Sequence, residues 1–298
     1  MSLVIVGSVA LDSVKTPHGE VSDVLGGSTM YASMASKHFC ETKIVGVVGN
    51  DFPEVHLDLL ADHKICSIGL EVVPGKTFCW KGVYNDLNKA ETLDTQLNVF
   101  ADFDPKLPSH YSTSRFLFLA NIDPELQLKV LDQMDKPELI GCDTMNFWIS
   151  SKKQELFEVI RKVDILFVND DEIKQLTGLE NIFEAAEMLL EMGPRYLVVK
   201  RGEFGSVLIG ENELFFTPIF PVKKVMDPTG AGDSFAGGFM GFLAGAEKLD
   251  SNTLRQAMLY GTVLASFNVE SFSLERLRDI DLAQISQRWS SVKNSMLV

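Results

Sequence analysis

Short β-branched or aromatic runs alternate with amphipathic segments along most of the chain, and this alternation limits the fold more than any other feature. VIVG, KIVGVVG, 116-FLFLA-120, 138-ELIGCD-143, 165-ILFV-168 and 196-YLVVK-200 read as strands. Between them, 29-TMYASMASKHF-39, 53-PEVHLDLLADH-63, 124-PELQLKVLDQM-134, 152-KKQELFEVIRKV-163 and 183-FEAAEMLLEM-192 read as helices. Successive strand–helix–strand units predict a mostly parallel sheet with helices on both faces. Such a sheet must be covered on each side, and 298 residues with 46% apolar content can supply the core. The chain, residues 1–298, therefore reads as one large α/β domain.

Two segments break the alternation, about 13–25 and 75–101. The second carries two extended stretches, 77-TFCWKGVY-84 and 92-TLDTQLNV-99, around the turn-prone NDLNK, which is a hairpin pattern. A hairpin inserted between helix-bearing units is expected to project from the sheet as a small β lid. It would stand beside the C-terminal strand ends, where open α/β sheets bind ligands. The alternative is an added antiparallel edge strand.

A formal net charge of −14 argues against a nucleic-acid or anionic-membrane partner, since either calls for a basic face. No apolar run approaches the roughly 18 residues that span a bilayer, and LVIVG begins without the order of a leader peptide. These features predict a soluble, cytoplasmic protein. Cys40, Cys66, Cys79 and Cys142 are scattered with no C-x-x-C pair, so neither a zinc site nor a disulfide framework is suggested.

Within 227-DPTGAGDSFAGGF-239 the apolar spacing Phe235, Phe239, Phe242, Leu243 marks a helix that starts near Ala231. Gly230, Ala231 and Gly232 then sit at its N-terminus, where unpaired amides and the helix dipole favour an anion. Gly237, Gly238 and Gly241 would let the helix lie close to its neighbours. Asp233 falls in the first turn, beside the anion position. There it could remove a proton from an attacking hydroxyl during phosphoryl transfer, or be phosphorylated itself. It could also be no more than an acidic residue at a favourable first-turn position.

The run DPTGAGDSFAGGF resembles the C-terminal signature of the ribokinase-like (PfkB) carbohydrate kinases, and 24-VLGGSTMYASMAS-36 resembles their N-terminal signature. The match continues in order through 6-VGSVALD-12, 26-GG-27, the lid insert, 169-NDDE-172 and 200-KRGEFG-205. This resemblance implies a three-layer fold with a β-sheet lid, and transfer from ATP in one in-line displacement without a phosphoenzyme. Asp233 would be the catalytic base, and the amides of Gly230, Ala231 and Gly232 the anion hole. Asn169 and Glu172 would organise Mg²⁺ and the nucleotide phosphates, mostly through water. Lys200, Gly202 and Gly205 would contact ATP, and Thr262 would border the adenine. Asp12, read as ending the first strand, would bind acceptor hydroxyls, with Gly26, Gly27, Tyr31 and Asn121 around the acceptor. Asp227 and Thr229 match side chains that hold K⁺ in some members.

The chain departs from the ribokinase pattern at two places. Tyr31 in 26-GGSTMY-31 stands where ribokinase has an Asn that contacts ribose, and Ser273 in 268-NVESFS-273 stands where a Gly is usual. The first weakens ribose as acceptor. Phe78, Trp80, Tyr84 and Tyr31 could stack on a nucleobase or pack on a sugar. No G-x-x-x-x-G-K-[ST] occurs, and VGSVALD is not a dinucleotide fingerprint. The expected activity is Mg-ATP-dependent phosphorylation of a hydroxyl, foremost the primary alcohol of a small sugar. A nucleoside acceptor of the adenosine type, or a sensor without turnover, are the alternatives. The exposed lid strand offers a route to a homodimer.

Overall fold

The structure, a computed structural model, describes residues 1–297. Its strands are β1 (Ser2–Val6), β2 (Ala10–Thr16), β3 (Gly19–Gly26), β4 (Glu41–Gly49), β5 (Cys66–Val73), β6 (Phe78–Asp86), β7 (Lys89–Gln96), β8 (Phe116–Leu119), β9 (Leu139–Asp143), β10 (Ile165–Asn169), β11 (Tyr196–Lys200), β12 (Ser206–Gly210) and β13 (Glu213–Thr217). The helices are α1 (Ser28–Ser36), α2 (Glu54–Asp62), α3 (Pro124–Leu131), α4 (Asn146–Ser151), α5 (Lys153–Ile160), α6 (Asp170–Thr177), α7 (Ile182–Leu190), α8 (Ala231–Gly245), α9 (Ser251–Asn268), α10 (Glu275–Asp279) and α11 (Leu282–Ser295).

As the alternation predicts, one large sheet, in the order β13-β12-β11-β10-β9-β8-β1-β4-β5, is parallel except where β12 and β13 turn back at one edge. Side-chain alternation assigns its two faces. Val4 and Val6 point into a core completed by Val130 of α3, Leu156 of α5, Ile173 of α6 and Leu189 of α7. Leu3 and Ile5 point the other way, into a core completed by Phe235 and Phe239 of α8 and Met258 of α9. The strands are buried on both faces, which is why they read as continuous apolar runs.

The two interruptions form a separate four-stranded sheet, β3-β2-β6-β7. Each segment is an antiparallel hairpin, and parallel pairing of Ala10–Lys15 with Phe78–Val83 joins them. β7 is exposed along its length. Asp12 therefore lies inside β2 of this small sheet and does not end the first strand, which stops at Val6. One other local expectation changes. The helix expected over 152–163 is the shorter α5, which starts only after Lys152, whose φ of −137° leaves the helical region and separates it from α4. No strand covers residues 218–225, and the Met226 amide donates to Val269 O at 2.7 Å.

The position of α8 is set by a glycine stripe. A Cβ on Gly237 would come within 2.2 Å of Ala32 O, one on Gly241 within 2.7 Å of Ser36 Cα, and one on Gly245 within 2.4 Å of Phe39 O. These positions recur every four residues, on one helix face, and all meet the backbone of α1 or the segment just after it. Among the described residues no helix is long and apolar enough to cross a membrane.

Candidate active site

Because β8 to β11 run parallel and adjacent, their C-terminal ends carry side chains to one edge of the sheet. Asn121 follows β8, while Asp143, Asn169 and Lys200 end β9, β10 and β11. Asn169 and Glu172 form a reciprocal capping box on α6: Asn169 Oδ1 accepts from the Glu172 amide at 2.7 Å, and Glu172 Oε2 from the Asn169 amide at 2.8 Å. An ordinary cap leaves its glutamate in water, but Glu172 is buried. Burial is the main reason its carboxyl is pushed up to about 7, against the pull of Lys200 and with a further push from Asp143. Lys200 Nζ donates to Asp143 Oδ2 at 2.7 Å. Burial works against this ammonium, yet Asp143, Glu172 and Asp233 outweigh it and hold its pKa above the usual lysine value.

Gly230 takes a left-handed conformation at φ 74° and starts α8. A Cβ there would lie 2.3 Å from the Tyr31 ring, so glycine is required by both conformation and space. The Ala231 amide donates to Pro228 O at 3.1 Å within the turn. Of the three amides expected to meet an anion, those of Gly230 and Gly232 are thus the ones not used in this contact. Gly232 also borders Lys200, whose Nζ lies 3.1 Å from where a Cβ would sit. Asp233 follows in the first turn, its carboxyl pushed up to about 7 by burial and then by Asp143, with Lys200 opposing. A carboxyl that titrates near neutrality, an ammonium and N-terminal amides meet within one helical turn. Such a set can accept a proton and stabilise an anion together.

On the other side of Asp233 stand Asp12, Tyr31 and Tyr84. Asp12 is buried and pushed up to about 7 by that burial and by Asp227, with the Gly27 amide opposing and Asp233 adding to the rise. Gly26 and Gly27 have a use within the chain. A Cβ on Gly26 would overlap the Asp12 carboxylate at 1.9 Å, and one on Gly27 would meet Ser8 O at 2.5 Å. Tyr31 is buried with no partner for its hydroxyl among the described residues, and burial followed by Asp12 and Asp227 raises its pKa. Thr229 Oγ1 donates to Tyr84 Oη at 3.2 Å, linking the small sheet to the turn before α8. The two other lid aromatics point elsewhere: Phe78 stacks on Phe100 at 5.3 Å, and Trp80 Nε1 donates to Thr92 Oγ1 at 3.2 Å within the hairpin.

Asp227 Oδ1 accepts from the Thr229 amide at 2.9 Å, and Asn268 Nδ2 donates to Thr229 O at 2.7 Å. The second oxygens, Asp227 Oδ2 and Asn268 Oδ1, are buried without a partner among the described residues. Ser273, where a glycine was expected, adopts φ +55° and keeps the left-handed turn, its hydroxyl donating to Leu25 O.

Thr262 is buried on α9, and Gly202 and Gly205 both have positive φ in the turn between β11 and β12. The Asn121 side chain is occupied by its neighbours: Oδ1 accepts from Trp148 Nε1 at 3.0 Å, and Nδ2 faces Met145 Sδ at 3.1 Å. Sequence reading missed Asp143 and Asn268. Asp143 had a signal, an acid ending a buried strand beside others that end in Asn and Lys; Asn268 looked like any polar residue at a helix end. A cleft of about 490 Å³ between Leu97, Lys129 and Trp148 lies beyond Asn121 and contains none of the converging acids.

The sequence profile of pfkB family carbohydrate kinases matches residues 2–278. The chain belongs to that family. It is 30% identical to a cytidine kinase of Thermococcus kodakarensis over 247 residues, 80% of this chain and 87% of that protein. It is 31% identical over 164 residues to a nucleoside kinase of Methanocaldococcus jannaschii, 55% of this chain and 51% of that one. The crystal structure of the Methanocaldococcus jannaschii nucleoside kinase superposes with a TM-score of 0.77 over 97% of this chain and 98% of the other at 21% identity, a likeness of fold. The family and its relatives make this chain a kinase acting on a small sugar or nucleoside.

Proposed function

We propose that the protein transfers the γ-phosphoryl group of ATP to the primary hydroxyl of a nucleoside, with cytidine the first acceptor to try. The observation that carries the chemistry is the carboxyl of Asp233, held near neutral pKa at the N-terminus of α8 between Lys200 and the acceptor-side acid Asp12. Asp233 takes the hydroxyl proton as the acceptor oxygen bonds to phosphorus. The bond from phosphorus to the bridging oxygen breaks in line, and ADP leaves with that electron pair. The Gly230 and Gly232 amides, Lys200 and the α8 dipole stabilise the charge on the transferring group.

Bound Mg²⁺ would supply charge neutralisation on the ATP phosphates, and the buried acids Glu172 and Asp143 would hold it largely through water, with Asn169 fixing Glu172. The unpartnered oxygens of Asp227 and Asn268, both tied to Thr229, suit a monovalent cation such as K⁺.

A nucleoside is preferred to the free sugar expected from sequence for two reasons. One relative that matches along most of its length is named a cytidine kinase. Met145, whose Sδ meets Asn121, and Phe147 stay 38% and 57% exposed, apolar surface that on this reading a base can use and a free pentose cannot. The test is the ratio of kcat/KM across nucleosides, ribose and hexoses at saturating MgATP. Nucleosides should exceed the free sugars by at least about a hundredfold, since the base adds buried contacts. A sugar used better than every nucleoside overturns the proposal in favour of the sugar reading.

A further inference from the structure

The β6–β7 hairpin is supported by β2 only as far as Val83, so its last turn, from Tyr84 to Ala90, is a two-stranded overhang. A lone two-stranded ribbon is marginal in water, and something must hold it. One hydrogen bond and one close approach do so, each to a turn that follows or precedes an element of the large sheet layer. At the base of the overhang, Tyr84 is buried and its Oη accepts from Thr229 in the turn before α8. At the tip, Asn88 Oδ1 lies 3.2 Å from where a Cβ on Gly202 would sit, in the turn that follows β11. The tip itself is fixed by the Asn88 amide donating to Asp86 Oδ1 at 3.0 Å. Gly202, with φ +51°, has no side chain to hold Asn88 away.

We propose that the hairpin tip is part of the phosphoryl-donor site, with Asn88 contacting the nucleotide and Tyr84 positioning the anion turn. This rests on the kinase reading above. The two places where the overhang lands are the two turns which, on that reading, hold ATP at either end. A nucleotide lying between them passes beneath Asn88, whose amide can donate to a phosphate or ribose oxygen and accept from a ribose hydroxyl. A ligand shifts a hinged element only through contacts that differ between its positions. Nucleotide contact with Asn88 and Thr229 supplies that difference, so the donor alone closes the hairpin and does not leave closure to the acceptor.

The test uses the full-length protein and a non-hydrolysable ATP analogue with Mg²⁺ and no acceptor. Calorimetry gives the affinity, and the rate of tryptic cleavage after the exposed Lys89 reports hairpin opening. Bound analogue should slow that cleavage in the wild type. Asn88→Ala should weaken analogue binding about three- to tenfold, the span of one hydrogen bond. Asn88→Asp, nearly isosteric but repelled by phosphate, should weaken it further, an order that loss of tip packing alone does not produce. Tyr84→Phe should lower kcat with a smaller change in the KM for ATP. If the wild type binds no analogue, the kinase reading falls and this inference with it. If the analogue binds, but equally to Asn88→Ala and Asn88→Asp and without slowing cleavage, only this inference falls.

Discussion

The ammonium of Lys200, at the end of β11, meets the carboxylate of Asp143, at the end of β9, at 2.7 Å across the intervening β10. Both groups are largely shielded, with side-chain exposures of 17% and 4%, so the pair orients Lys200 toward Gly232 instead of serving as a surface ion pair. Asp143→Asn keeps the shape but removes the charge that anchors the ammonium. We expect kcat/KM for ATP to fall about tenfold or more, with little change in the acceptor KM. Steady-state kinetics with each substrate varied in turn checks this, and an unchanged kcat/KM for ATP would make the pair structural only.

The acids of the site predict opposite pH trends for activity and stability. Asp233 must be deprotonated to act as base, so kcat/KM should rise as pH rises through about 7. Asp12, Glu172 and Asp233 all bind protons more tightly in the folded chain than at the usual carboxylate values of about 4. Their contribution to stability is therefore greatest at or below pH about 4 and is lost as pH rises toward about 7. Melting temperatures of the ligand-free protein against pH, compared with Glu172→Gln, test the second trend. The variant should flatten the decline, and an identical slope would remove Glu172 from the account.

Asp227 and Asn268 predict activation by potassium. Replacing K⁺ with tetramethylammonium at constant ionic strength should lower kcat several-fold, because the bulky ion cannot reach two buried oxygens. Asp227→Ala should lose the difference between the salts. Equal rates for the wild type in both salts would leave the two unpartnered oxygens without this explanation.

The glycine stripe predicts a structural sensitivity at a distance from the chemistry. Gly237→Ala would drive a methyl to within 2.2 Å of Ala32 O, and backbone cannot move aside as a flexible side chain can. Chemical denaturation should show a loss of about 1–3 kcal/mol or more. Exposed Gly178, whose added Cβ meets nothing within 4 Å, is a useful contrast: its penalty comes only from a φ of +77°.

The central sheet and its covering helices were legible because burial on both faces leaves short, unbroken, β-branched apolar runs that alternate with amphipathic helical segments. The loop at Asp233 was legible for a related reason, since few structures require two closely spaced glycines and an acid at a helix start. Other parts depend on contacts between distant segments. Asp143 looks like any strand-end acid until Lys200 arrives from 57 residues away. Gly26 reads as room for a ligand until the Asp12 carboxylate is found filling it. Asn169 and Glu172 satisfy a helix-capping pattern and a phosphate-site pattern alike, and only the burial of Glu172 separates the two. Thr229 gave no hint in sequence that the lid would reach it through Tyr84.

Transfer from ATP to a nucleoside hydroxyl with Asp233 as base has two separable signatures, the products formed and the rate lost with the base. Mass spectrometry of the products from MgATP and a nucleoside, for the wild type and Asp233→Asn side by side, tests it most directly. The wild type should form ADP and nucleoside monophosphate in equal amounts, with the variant slower by about 10²–10⁴-fold. Equal rates from the two proteins, or ADP formed without any phosphorylated nucleoside, would contradict it.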